Sequence, residues 1–162
     1  MKKAISILFF SFILQGFSCY AQAPYESGAG IIAGFMNGLS YKTFAIGNKV
    51  ALQTDLGVKF EAHDSSQFWT VDINPNIMFQ HRISISNLYW FLGVGTSVGY
   101  AFTDNLKSGK FGVNVIGGIE YKFNIPLSIQ LDYRPGYGLL FSKHSSESYF
   151  DWGLNLSFRY TF

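Results

Sequence analysis

The chain has 162 residues, a formal net charge of +2 and only 14 % charged side chains, against ~25 % in a typical soluble protein. Lys2 and Lys3 sit at the extreme N-terminus, and without them ten basic residues face ten acidic ones. That balance gives no support to nucleic-acid binding or a polybasic membrane anchor. Aromatics reach 19 %, yet after Leu14 no apolar run approaches the ~20 residues of a spanning helix. A barrel with its apolar face outward reconciles greasiness with the lack of membrane helices.

Residues 1–23 read as a cleavable signal peptide. Lys2 and Lys3 form a positive n-region, and Ala4 to Leu14 form an apolar stretch of eleven residues ended by Gln15 and Gly16. That length matches a secretory h-region of ~7–15 residues. Cleavage after Ala23 satisfies the small-x-small rule through Ala21-Gln22-Ala23 but meets Pro24; cleavage after Ala21 competes with it. Either cut removes Cys19, the single cysteine, so the mature chain forms no disulfide. Retaining Cys19 as an acylated residue is disfavoured by bulky Phe17.

Residues 24–162 read as one domain of about eight strands, because side chains alternate with period two. Two weak segments come first, Gly28–Phe35 and Leu39–Phe44. Val50–Phe60 then places Val50, Leu52, Leu56, Val58 and Phe60 against Gln53, Asp55, Gly57 and Lys59. Trp69–Phe79 sets Trp69, Val71, Ile73, Ile77 and Phe79 against Thr70, Asp72, Asn74 and Asn76. Tyr89–Phe102 sets Trp90, Leu92, Val94, Val98, Tyr100 and Phe102 against glycines and Ser97. Phe111–Phe123, Leu127–Phe141 and Phe150–Phe162 continue the pattern, the last without a fault. Pro75 predicts a bulge and Pro135 a distortion or fraying, since a closed barrel has no edge to excuse a missing N–H.

Gly47-Asn48, Ser86-Asn87 and Asn124-Ile125-Pro126 read as tight turns, and Met36-Asn37-Gly38 as a short one. Ala62–Gln67, Thr103–Gly109 and Ser142–Tyr149 read as longer polar loops. Strands of ~9–13 residues tilted by ~40° cross an apolar band of ~25 Å. With antiparallel threading, Phe79, Trp90, Tyr121, Phe123, Phe158, Tyr160 and Phe162 gather at one rim. Phe60, Trp69, Tyr100, Phe102, Phe111, Tyr137, Phe150 and Trp152 gather at the other, with Val, Leu and Ile between. Two aromatic girdles around an aliphatic waist predict an eight-stranded, up-and-down transmembrane β-barrel in the outer membrane, termini in the periplasm. The competing arrangement is a soluble lipocalin-like carrier with its apolar face inward.

Gly118-Ile119-Glu120-Tyr121-Lys122-Phe123-Asn124-Ile125-Pro126-Leu127, Leu131-Asp132-Tyr133-Arg134-Pro135-Gly136-Tyr137, Gly38-Leu39-Ser40-Tyr41-Lys42 and the ending Arg159-Tyr160-Thr161-Phe162 resemble the small porin-like outer-membrane β-barrel proteins of Bacteroidota. The resemblance implies a barrel in outer-membrane lipid, inserted by the barrel-assembly machinery. That machinery would read a C-terminal signal matching Phe158, Tyr160 and Phe162. These motifs are structural and carry no activity with them.

The inward face gathers Lys42, Lys59, Arg82, Lys122, Arg134 and Arg159 with Asp55, Asp72, Glu120, Asp132 and Asp151. Charges in a narrow interior must pair or cost several kcal/mol each. The expected result is an ion-paired plug, with a narrow, weakly conducting pore as the alternative. Catalysis would draw on His144, Ser145, Ser146 and Glu147, with His63 and Asp64, all in polar loops that contain such residues for solubility. His81 reads as interfacial. Scattered histidines and a mature chain without cysteine predict no metal site, and no cofactor motif is present. Residues 142–149 offer a surface for an unidentified partner.

Overall fold

The computed structural model describes residues 23–46, 48–63, 66–103, 106–142 and 146–162. Most of the expected leader, with Cys19, lies outside them, as do Asp64, His144 and Ser145. Eight antiparallel strands follow chain order round a closed barrel. They are β1 Ser27–Gly34, β2 Asn37–Ile46, β3 Val50–His63, β4 Ser66–Arg82, β5 Leu88–Thr103, β6 Leu106–Lys122, β7 Leu127–Phe141 and β8 Ser146–Thr161. β1 closes the ring against β8, Gly28 opposite Thr161. We call the end where β1 begins and β8 finishes the near end, and the opposite one the far end.

The binary pattern determines which way each face points. Polar and small residues on alternate positions turn inward and are buried, while Leu92, Val94, Val98, Val113, Val115, Ile119 and Leu154 are exposed on the outside. Rings gather at both ends of that belt: Phe60 beside Trp69 and Phe150 beside Trp152 at the far end, Phe79, His81 and Trp90 at the near end.

The register gives the tilt. A line of paired residues from Gly28 passes Lys42, Gln53, Asn76, Gly95, Asn114 and Gly136 and arrives at Asp151. Thr161, the true partner of Gly28, lies ten residues further along β8. A stagger of ten over eight strands inclines them by roughly 40°, so each residue climbs about 2.5 Å along the axis. From Trp90 to Tyr100 on β5, or from Tyr160 to Phe150 on β8, the aromatic rings are therefore about 25 Å apart in height.

Three expectations are corrected. Much of what reads as far loop is strand: Ala62 pairs with Gln67, His63 with Ser66, Thr103 with Leu106 and Phe141 with Ser146, so residues 146–149 belong to β8. Pro75 causes no bulge. Ladder partners against β5 are missing at Asn74 and Pro75, and pairing resumes in the same register at Asn76–Gly95. Pro135 likewise interrupts pairing with β6 only between Tyr133 and Gly136, and β7 runs on to Phe141 without fraying. Both prolines sit where one seam lacks a donor while the other stays intact, so the wall absorbs them. The register shift that does occur lies in β2, between Thr43 and Ile46. Asn87, in the predicted Ser86-Asn87 turn, adopts φ 63°, a left-handed conformation that asparagine tolerates.

The wall is uneven. β1 has 8 residues and β2 has 10, whereas β4 and β6 have 17. The β1–β2 turn folds inward instead of rising: Met36 is buried, and its N–H donates to Asn155 Oδ1 at 3.0 Å.

Candidate functional site: the interior charge network

Alternation aims every second side chain of eight strands at one axis, and an eight-stranded barrel has room for side chains and little else. Nine of the eleven charged residues expected inside are buried there: Lys42, Asp55, Lys59, Asp72, Glu120, Asp132, Arg134, Asp151 and Arg159. They form three layers.

In the near layer Lys42 Nζ lies 2.8 Å from Glu120 Oε2 and donates to Gln80 Oε1 at 2.6 Å. Gln80 returns a bond to Glu120 Oε2 at 2.8 Å, and Tyr25 donates its hydroxyl to Glu120 Oε1 at 2.6 Å. Arg159 spreads over Ser40 Oγ at 2.9 Å and Gln130 Oε1 at 3.0 Å, with Glu120 at 3.7 Å. Against this layer Phe44, Ala51, Met78, Phe91 and Ile116 form an apolar cluster on which Tyr25 packs. The Lys42 ammonium rests 5.1 Å from the Phe91 ring centre. Tyr25 precedes β1; withdrawal from solvent raises its hydroxyl well above the ordinary value, and the Glu120 carboxylate beside it acts in the same direction.

In the middle layer Arg134 bridges Asp55 at 2.9 Å and Asp132 at 3.2 Å. Gln53 donates to Asp55, and Gln130 and Asn155 to Asp132. In the far layer Lys59 contacts Asp72 and Asp151 at 2.9 Å each, and Lys110 contacts the same two carboxylates at 3.4 and 3.2 Å. Each of the five carboxylates Asp55, Asp72, Glu120, Asp132 and Asp151 is shared by at least two donors, as a dry interior demands of buried charge.

Among the described residues, five cations and five carboxylates thus make a balanced set. Two expected members stand apart. Arg82 is exposed and donates to Ser86 Oγ at 3.4 Å, while Lys122 donates to the backbone carbonyls of Phe123 and Ile125. Both have the correct parity but sit below the last layer, at the rim. Sequence reasoning missed Lys110, which belongs to the same inward row as Gly112, Asn114 and Glu120. Continuing the β6 alternation one step before Gly112 would have found it. It also missed the apolar inward residues Ile32, Met36, Met78, Phe91 and Ile116, which fill the space between polar layers. A void of about 20 Å³ remains among Asn74, Asn114 and Arg134, room for about one water molecule.

Phe158, Tyr160 and Phe162, the expected assembly signal, lie in a row on the outer face at the near end. Among the described residues no three His, Cys, Asp or Glu side chains come together as metal ligands. Compared with protein families, with curated proteins and with solved structures, the chain matches none.

Proposed function

We propose that this protein is an integral outer-membrane β-barrel with a non-catalytic role in the envelope or at its surface, its lumen closed by the ion-paired network. The observation that carries this reading is the exposed aliphatic belt held between two aromatic rings. Leu92 and Val94 are 55 % and 57 % exposed, and Trp152 67 %. A water-facing surface of that kind would drive aggregation, whereas a bilayer has an apolar band of about 25 Å bounded by interfaces that favour such rings. An apolar face turned outward also argues against a ligand-carrying soluble barrel.

The near end, with the tight turns, corresponds to the periplasmic side in this reading. The row Phe158, Tyr160 and Phe162 is the feature offered to the barrel-assembly machinery, as in the porin-like barrels of Bacteroidota that the motifs resemble. A weakly conducting pore is disfavoured by the layered plug and the small residual void.

Fractionation of cells tests the address: the protein is expected with outer-membrane markers, its unheated form migrating faster on a gel than its boiled form. Recovery in the soluble periplasmic fraction refutes it. Planar-bilayer recording tests closure, with no unitary current expected; a reproducible ohmic step overturns the plugged lumen.

A further inference from the structure

The short β1–β2 hairpin leaves the wall incomplete. Gly34 pairs with Asn155 and Phe35 N–H bonds Leu154 O at 3.0 Å; beyond that, no β1 residue accompanies β8. On the other flank the last β2–β3 pair is Asn37–Val58. Among the described residues, β8 from Ser146 to Gly153 and β3 from Lys59 to His63 thus each have one paired side, toward β7 and β4, and one unpaired side.

The free edges face each other. Leu154 O and Phe158 O point toward β1, so the N–H and C=O groups of Trp152, Phe150 and Ser148, which share their parity, point into the gap. On β3, Leu56 O points toward β2, so the backbone of Phe60 points into the gap from the opposite side. Three strand spacings separate β8 from β3, about 14 Å, which leaves room for two further strands. The turn at Gly34 stands about 10 Å below the level of Phe150. The opening therefore lies at the height of the far aromatic ring and just beneath it.

Lys59 and Asp151 meet behind the opening at 2.9 Å, and Lys59 Nζ lies 4.9 Å from the centre of the Phe35 ring. The feature is a slot in the wall backed by this pair, which also lines the interior void.

We propose that this slot accepts an extended hairpin of a partner protein, one arm added as a strand to the free edge of β8 and the other to that of β3. The inference rests partly on the membrane reading, which puts these edges at hydrocarbon depth. There each unpaired backbone group costs several kcal/mol, and acyl chains can offer it no hydrogen bond. A second copy of this chain does not fit. Bringing its β3 or β8 within pairing distance would drive the closed lower halves of the two barrels into each other, since each needs its full diameter. An extended hairpin is thin enough, and main-chain pairing with alternate side chains in register is how open edges bind peptides. Its outward residues would continue the apolar surface of Phe150, Trp152 and Phe60. Its inward residues would be small and polar, to pass over the Lys59–Asp151 pair.

The test uses the folded barrel in detergent micelles, so it does not depend on membrane localisation. The probe, standing in for either arm, is a ten-residue peptide of alternating valine and serine with two terminal lysines. Amide hydrogen exchange at Phe60, Phe150 and Trp152 is expected to slow at least about tenfold on adding the peptide, with no change at Leu131 in the intact wall. Phe150→Pro removes a donor that faces only the slot and should abolish the protection, whereas Phe150→Ala should keep it, both variants remaining heat-modifiable. The proposal is overturned if the peptide protects none of these amides. It is equally overturned if they already exchange as slowly as Leu131 in the protein alone, or if Phe150→Pro binds the peptide like Phe150→Ala.

Discussion

Lys42 on β2 and Glu120 on β6 lie 2.8 Å apart across the barrel axis, and neither side chain retains any exposure to solvent. Removing one partner strands the other. Lys42→Met leaves Glu120 with Arg159 at 3.7 Å as its remaining cation and is expected to cost about 3–5 kcal/mol. Glu120→Gln leaves Lys42 and Arg159 as neighbouring uncompensated cations and is expected to cost as much. The double variant should recover only the part of the loss owed to Lys42, because Arg159 still lacks the Glu120 carboxylate. Urea unfolding of the refolded barrel measures all three, and additive single losses would refute the coupling.

The far layer should behave differently, because Lys59 and Lys110 share Asp72 and Asp151. Either lysine alone still touches both carboxylates. Lys59→Met and Lys110→Met are each expected to cost less than Lys42→Met. Their combination is expected to exceed the sum of the two by about 0.5–3 kcal/mol, read in the same unfolding experiment.

Close wall packing separates two glycines of identical chemistry. A Cβ at Gly30 would collide with the backbone of Phe158 and Arg159 on β8, while at Gly109 nothing lies within 4 Å. Gly30→Ala is expected to cost about 1–3 kcal/mol through displaced backbone and to lower the fraction of heat-modifiable barrel after refolding. Gly109→Ala should match the parent protein.

Tyr25 makes stability fall at alkaline pH. Its raised hydroxyl binds the proton more tightly in the barrel than in the unfolded chain, where the ordinary value is 10.0. The contribution is therefore complete below pH 10 and is lost as pH rises through the folded value. Tyr25→Phe should flatten the decline in unfolding free energy above pH 10 while leaving its slope at neutral pH unchanged. An identical alkaline slope in both proteins would remove Tyr25 as its source.

Much of the architecture could be read from period two alone. In β8 every apolar residue from Phe150 to Phe162 points outward and every intervening residue inward, as the alternation requires. Lys42, Glu120 and Arg159 could be assigned to the interior from parity, but Arg82 and Lys122 share that parity and stay at the rim. Parity assigns a residue to a face and says nothing of its height. Height depends on tilt and register, which are set by how eight strands close on one another. Lys110 falls between the expected loop Thr103–Gly109 and the expected strand Phe111–Phe123, and hairpin pairing beyond Phe111 extends β6 through it into a stretch whose polar composition alone reads as a turn.

The number of strands and the face that each residue takes can be read from the chain alone, because both follow from local alternation. Only the tertiary structure decided which cation meets which carboxylate, how Pro75 and Pro135 are absorbed, and that β1 and β2 stop short to leave an edge open. Those are properties of residues far apart in the chain, fixed by ring closure with a stagger of ten, which no single segment encodes.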